Sequence, residues 1–261
     1  MDEQDDDAER AALREEVRAH LEWEAAWSGF PLPEREVPLA LPYPVAIERA
    51  AAPAPAGPHP SPLPLAEERA TGLPTDRAGR LRVLASDAAT CTRCRLHEGR
   101  KKSVFSRGSY DASVAFVGEG PGYNEDQQGE PFVGAAGQLL DKMIVAMGLT
   151  RDGVYVCNVV KCRPPENRTP LADEAGTCAT YLTQQIDIVA PKVIVALGRC
   201  AAENLGLAEQ GRSWRGQWGA YRGIPVMPTY HPAYLLRSPE MKKPVWEDLQ
   251  LVMQRLGLKP S

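Results

Sequence analysis

At 261 residues, of which 43% are hydrophobic and 25% charged, the chain can bury one full core with room for an appendage. No run reaches the roughly 18 apolar residues that cross a bilayer, and the opening MDEQDDDAER is acidic where a secretory leader is basic; a soluble, cytoplasmic, membrane-free protein is expected. The net charge of −4 is uneven: residues 1–30 hold ten Asp/Glu against three Arg, or −7, which leaves +3 for the rest, a mildly basic part that suits a nucleic-acid partner.

Residues 5–27 read as a helix, with an acidic first turn and Leu13, Val17 and Leu21 at i, i+4 spacing. Residues 31–64 crowd prolines and alanines without apolar periodicity, the composition of a semi-rigid linker. The chain therefore divides into an acidic appendage over 1–30, a Pro/Ala-rich linker over 31–74 and a folded domain over 75–261. That domain opens on a helix capped by Thr75 or Asp76, with Leu81, Leu84 and Ala88 on one face.

This helix runs into Cys91-Thr92-Arg93-Cys94, and two more cysteines, Cys162 and Cys178, follow far downstream. A reducing compartment disfavours structural disulfides, so a CxxC with two distant thiols points to a metal centre. Four thiolates suit zinc or an iron-sulfur cluster on ligand type alone. Cys157 and Cys200 fall inside apolar patterns and read as ordinary buried thiols.

Next comes VAFVGEGPGYNEDQQGEPFVGAAG over residues 114–137. Its apolar run is short enough for a buried strand. At Gly118 it breaks into a loop dense in glycine and carboxylates, and from Gly134 a helical pattern places Leu139, Leu140, Met143, Ile144 and Met147 on one face. Strand, loop, helix is the layout at the carboxyl edge of a parallel sheet, where α/β proteins bind ligands. Further strands are expected over 154–160, 193–198 and 224–228, with helices over 173–188, 199–205 and 244–256. The fold class is thus α/β, a three-layer α/β/α arrangement around a mostly parallel four-stranded sheet.

Several ordered motifs carry a family resemblance: GEGPG at Gly118 to Gly122, Glu125-Asp126, PFVGAAG at Pro131 to Gly137, NVVKCRPPENRTP at Asn158 to Pro170, and HPAYLL at His231 to Leu236. From Cys91 to Leu256 the chain resembles the iron-sulfur uracil-DNA glycosylases, family four of that superfamily. The resemblance implies a monofunctional DNA-repair enzyme that flips uracil out of DNA and excises it, leaving an abasic site. It also implies that Cys91, Cys94, Cys162 and Cys178 hold a 4Fe-4S cluster. Two alternatives stay open: a catalytically inactive iron-sulfur DNA-binding or sensor protein, and a sister-family glycosylase with another base range.

The chemistry of such a reaction fits these residues. Phe132 can stack on the extruded base, and the Asn158 amide offers both a donor and an acceptor to a pyrimidine edge. Gly118, Gly120 and Gly122 let backbone approach the base closely. His231 can donate to the charge that develops on the leaving uracil. Better-known glycosylases of the superfamily carry an Asp where Gly120 stands, which leaves Glu119, Glu125 and Asp126 as candidate catalytic carboxylates, Glu119 against the uracil or its water and the other two at the pocket wall. Tyr234, Leu235 and Leu236 form an apolar tip suited to a minor-groove wedge, followed by Arg237, Lys242 and Lys243 for phosphates. Lys161, Arg163 and Arg168 form a second phosphate-facing set. The protein is expected to act as a monomer on uracil-containing DNA, its tail free to contact a protein partner.

Overall fold

The structure, a computed structural model, describes residues 74–207 and 214–258; the helix expected over 5–27 and the linker over 31–64 lie outside them. The first described helix, α1 (Arg77–Ala89), starts where its cap chemistry allows: Asp76 accepts a hydrogen bond from the Gly79 amide at 3.0 Å. Its Leu81, Leu84 and Ala88 are buried. There follow α2 (Leu96–Gly99), β1 (Ser106–Gly108), β2 (Val114–Gly118), α3 (Tyr123–Gln128), α4 (Ala135–Ala146), β3 (Tyr155–Asn158), α5 (Ala172–Val189), β4 (Val193–Leu197), α6 (Arg199–Asn204), β5 (Gly219–Tyr221), β6 (Ile224–Thr229), α7 (Pro232–Leu235) and α8 (Lys242–Leu256). None of the described helices is long and apolar enough to cross a membrane.

The sheet runs in the order β1-β3-β2-β4-β6-β5. Its centre, β3-β2-β4-β6, is parallel, and these are the four strands expected from sequence. The count corrects to six, because β1 pairs antiparallel with β3 and β5 antiparallel with β6. Each added edge strand has three residues, too short to show an alternation of period two.

Alternate residues of each central strand enter opposite cores, which is why the strands read as unbroken apolar runs. Ala115, Val117, Tyr155, Ile194 and Ala196 pack with α1, α5 and α6 on one face, while Val114, Phe116, Val156, Val195 and Met227 pack with α4, α7 and α8 on the other. The three-layer α/β/α class holds.

The strand order sets where a ligand can sit. From β2 the chain crosses to β3 on one side, whereas β4 and β6 lie on the other. Loops leaving the carboxyl ends of β2 and β4 therefore diverge and open a crevice, the usual ligand position in open α/β sheets.

Candidate active site

Residues at or just beyond the carboxyl ends of all four parallel strands meet at this crevice. Gly118 ends β2 in register with Asn158 at the end of β3. A Cβ on Gly118 would lie 2.4 Å from Asn158 Oδ1 and 2.6 Å from Phe132 Cζ, so it is the missing side chain that lets amide and ring converge. Asn158 is only 2% exposed, and its Oδ1 is buried without a hydrogen-bond partner. Such an orphaned acceptor marks a place prepared for a donor. Past β6, His231 packs over the Phe132 ring with centroids 5.6 Å apart and planes inclined by 26°. Gly198, just past β4 with φ +89°, leaves it room, since a Cβ there would sit 3.1 Å from His231 Cβ. Gly118, Phe132, Asn158 and His231, drawn from four separate motifs, thus form one recess.

The state of His231 follows from its position as the cap of α7. Its Nδ1 accepts a hydrogen bond from the Ala233 amide at 3.1 Å, and a ring nitrogen that accepts from an N–H carries no proton of its own. In the neutral ring the proton is therefore on Nε2. Burial, reinforced by the charge of Arg237, lowers the pKa from 6.5 to about 4. At neutral pH the recess holds an uncharged imidazole with an Nε2–H to give.

Phe132 occupies the left-handed region at φ 57°, a strained choice for an aromatic residue, and three contacts hold it there. Glu125 Oε1 accepts from the amides of Val133 at 3.0 Å and Gly134 at 2.9 Å, placing a carboxylate at the positive start of α4. Arg107 donates from Nε to the Pro131 carbonyl at 3.1 Å and from Nη2 to Asp141 at 2.5 Å. Gly137 lets the Phe132 carbonyl approach: a Cβ there would be 1.9 Å from that oxygen.

These contacts sort the candidate carboxylates. Glu125 braces the Phe132 loop through backbone amides. Asp126, 2% exposed, accepts from the Lys101 amide at 2.9 Å and ties α3 to the preceding segment, so its placement at the pocket wall is corrected to a buried scaffold role. Glu119 has no such backbone tie; burial raises its pKa, opposed by the neighbouring Thr169 hydroxyl.

The cysteines converge as well. Cys91 and Cys94, just past α1, together with Cys162 after β3 and Cys178 on α5, line one cavity with Arg93, Arg100, Lys161 and Tyr181. Arg100 Nη1 donates to Cys162 Sγ at 3.1 Å and Arg93 Nε to Cys91 Sγ at 3.4 Å. Burial pushes the Cys162 and Cys178 thiols up. At Cys91 burial acts the same way, but the Arg93 contacts outweigh it and the thiol lies below its ordinary value. Among the described residues no group of three or more His, Cys, Asp or Glu is arranged to hold a metal ion. The four thiols line one shared cavity. Cys157 and Cys200 are buried in β3 and α6 as expected.

The family model of the Uracil DNA glycosylase superfamily matches residues 105–250, more than half of the chain and all of the recess. The chain belongs to the uracil-DNA glycosylase superfamily. Among its relatives, the Type-4 uracil-DNA glycosylase of Thermotoga maritima is 42% identical over 65% of this chain and 91% of its own length. That of Saccharolobus solfataricus is 41% identical over 69% of this chain and 88% of its own. A Type-5 uracil-DNA glycosylase of Pyrobaculum aerophilum is 33% identical over 49% of this chain and 64% of its own.

Against this superfamily background, the residues expected to touch DNA divide. Leu235 is fully buried in the core beneath α7, because a short helix must turn one side inward; it is corrected from wedge to core. Tyr234 and Leu236 stay partly exposed, while Arg237 and Lys243 face solvent and Lys242 does so in part. Lys161 is also corrected: it is 1% exposed and donates from Nζ to the Asn158 carbonyl at 2.6 Å, so it supports the recess from behind. Arg168 is held by a two-pronged pair with buried Glu174 at 2.8 and 2.7 Å, which commits most of its donors to the start of α5. Arg163 remains at the surface. Arg107 and Gly198 went unrecognised in the sequence, since nothing local marks an arginine or glycine whose partner lies far along the chain, and Gly137 was read as part of its motif without its role against the Phe132 carbonyl.

Proposed function

We infer that this chain removes uracil from DNA by hydrolysing the bond between N1 of the base and C1′ of its sugar, leaving an abasic site in an uncut strand. One observation carries the reading: His231, neutral with its proton on Nε2, packs over Phe132 beside a buried amide acceptor that lacks a donor. A uracil inserted into the recess would stack on Phe132, which offsets part of the few kcal/mol needed to unstack and extrude the nucleotide.

Uracil presents an N3–H, which satisfies Asn158 Oδ1. Cytosine presents a bare ring nitrogen there and leaves two acceptors facing each other, a mismatch of about 1–3 kcal/mol for the unsatisfied group. As the glycosidic bond breaks, negative charge spreads onto the base and positive charge onto the sugar. The Nε2–H of His231 donates to the base oxygen, and a neutral donor suffices because the charge it meets exists only in the transition state. Glu119 is the loop carboxylate left to orient the attacking water or to balance the sugar cation, given that Glu125 and Asp126 are spent on backbone amides. Strand cleavage would require an amine at C1′; Lys161 has its Nζ turned to the Asn158 carbonyl.

The thiols of Cys91, Cys94, Cys162 and Cys178 fit a 4Fe-4S cluster: four soft donors line one cavity, flanked by the compensating cations Arg93, Arg100 and Lys161. When bound, the cluster would supply an inorganic cross-link joining the end of α1 and helix α5 to the segment that carries Asn158. DNA would be held through Tyr234, Leu236, Arg237, Lys242, Lys243 and Arg163.

The test is release of free uracil from a uracil-containing oligonucleotide by the full-length holoprotein, beside a cytosine control. Broad visible absorption that bleaches on reduction is expected of the cluster and not of zinc thiolates. Intact absorption without uracil release would overturn the enzymatic reading.

A further inference from the structure

At the rim of the recess lies a pair that neither catalysis nor packing uses. Tyr123, the first residue of α3, is 57% exposed and is the one aromatic among the exposed large hydrophobic side chains of the described residues. Its ring carries the Arg163 guanidinium, 5.2 Å from the centroid. Arg163 is held in turn: its Nε donates to Asn167 Oδ1 at 2.7 Å. Asn167 and Glu166 are consecutive left-handed residues, φ 56° and 55°, with no glycine between them. Asparagine tolerates this region, but Glu166 adopts it at a cost that the exposed cation–π contact does not clearly outweigh. Strain maintained next to a site is a mark of function.

The pair is continuous with the recess. A Cβ on Gly120 would lie 2.8 Å from Val160 Cγ2 and 3.7 Å from Pro164 Cδ, and the Val160 amide donates to the Glu119 carbonyl at 3.1 Å. The loop that bears Tyr123 and the segment that bears Arg163 therefore touch within two residues of Gly118. A substrate strand with one base in the recess must pass this rim.

We propose that Tyr123, backed by Arg163, is a stacking platform for the nucleobase next to the extruded uracil. The proposal rests on the uracil-excision reading and extends it from one nucleotide to two. Extrusion strips the neighbouring base of a stacking partner, and an exposed aromatic face replaces that partner without regard to sequence, because every base has a π face. The guanidinium behind the ring adds positive charge where the backbone passes.

The test pairs a variant with a substrate change, using full-length holoprotein. Uracil release and fluorescence-anisotropy binding are measured for wild type, Tyr123→Ala and Tyr123→Phe. The single-stranded oligonucleotides carry a normal base or a tetrahydrofuran abasic analogue immediately 5′ or 3′ of the uracil. Tyr123→Ala is expected to raise KM and Kd about 5- to 100-fold, the loss falling on KM rather than kcat, with Tyr123→Phe close to wild type. Wild type should suffer a similar loss when one of the two flanking bases is removed, and Tyr123→Ala should lose nothing further on that substrate. Unchanged KM and Kd in Tyr123→Ala, or losses that simply multiply when variant and substrate change are combined, would overturn the platform. Failure of the excision reading shows separately, as no uracil release by wild type on any substrate while Tyr123-dependent binding persists.

Discussion

His231 illustrates how a residue's role depends on what surrounds it. In the sequence it is a histidine before a proline, which most often marks a loop; in the fold it caps α7, stacks on Phe132 and is held neutral by burial. Replacing it with Ala should lower kcat about 100- to 1,000-fold, the typical loss of one donor at a developing negative charge, with a much smaller change in KM. Because the donor form persists down to about pH 4, this group should leave kcat flat from pH 5 to 8, which a pH–rate profile checks. The stability effect has the opposite reach. The unfolded ring takes up its proton near 6.5 and the folded ring only near 4, so stability is fully present above 6.5 and falls as pH drops through that window. The loss reaches about 3 kcal/mol at roughly 1.36 kcal/mol per unit. Denaturant titrations at pH 7 and pH 4.5 should show this component in the wild type and not in His231→Gln.

Other residues were legible by type but not by placement. Lys161 looked like a phosphate contact because it sits in a basic run, yet only its neighbour Arg163 reaches the surface. Leu235 and Leu236 are chemically alike, and the step of about 100° between successive helical residues sends the first fully into the core and leaves the second half-buried at its edge. Motifs identify which side chains matter to a site more reliably than which way they point, because direction is set by partners distant in sequence.

Among the elements, the four parallel strands and most of the long helices could be read from apolar runs and caps, since those patterns record burial directly. The short edge strands could not. β5 and β6 are joined by Arg222-Gly223 with φ 51° and 79°, a turn geometry usually announced by Asn-Gly, and the arginine hides it. α3 was hidden too: one tyrosine and five polar residues between glycines read as loop. Yet that short helix orders the site, because its Glu125 braces Val133 and Gly134 while Arg107 and Gly137 fix the segment from the other side. Gly137→Ala tests this brace. The added methyl cannot coexist with the Phe132 carbonyl, so the loop must shift. A destabilisation of about 1–3 kcal/mol, read as a fall of a few degrees in Tm, should accompany a disproportionate loss of kcat. A normal kcat with lowered Tm would show that the strained Phe132 geometry is not needed for the reaction.

Across the whole molecule, both the acidic residues 1–30 and the Pro/Ala-rich stretch after them lie before the superfamily match. The Thermotoga maritima relative is matched over 91% of its length by 65% of this chain, and the superfamily match runs over residues 105–250. The acidic first thirty residues, at −7 against +3 for the remainder, carry the wrong sign for a polyanion. Tethered near a DNA-binding face they would compete with phosphates for Arg163, Arg237 and Lys243, an interaction that salt screens over about 10 Å at 0.1 M. Removing residues 1–70 should therefore leave kcat for uracil release unchanged while lowering KM several-fold at low ionic strength, and the difference should vanish by about 0.3 M salt. KM measured for both chains across a salt series decides the matter. An equal KM at every salt would mean that the acidic segment does not reach the DNA face, and a fall in kcat would mean that it belongs to the enzyme itself.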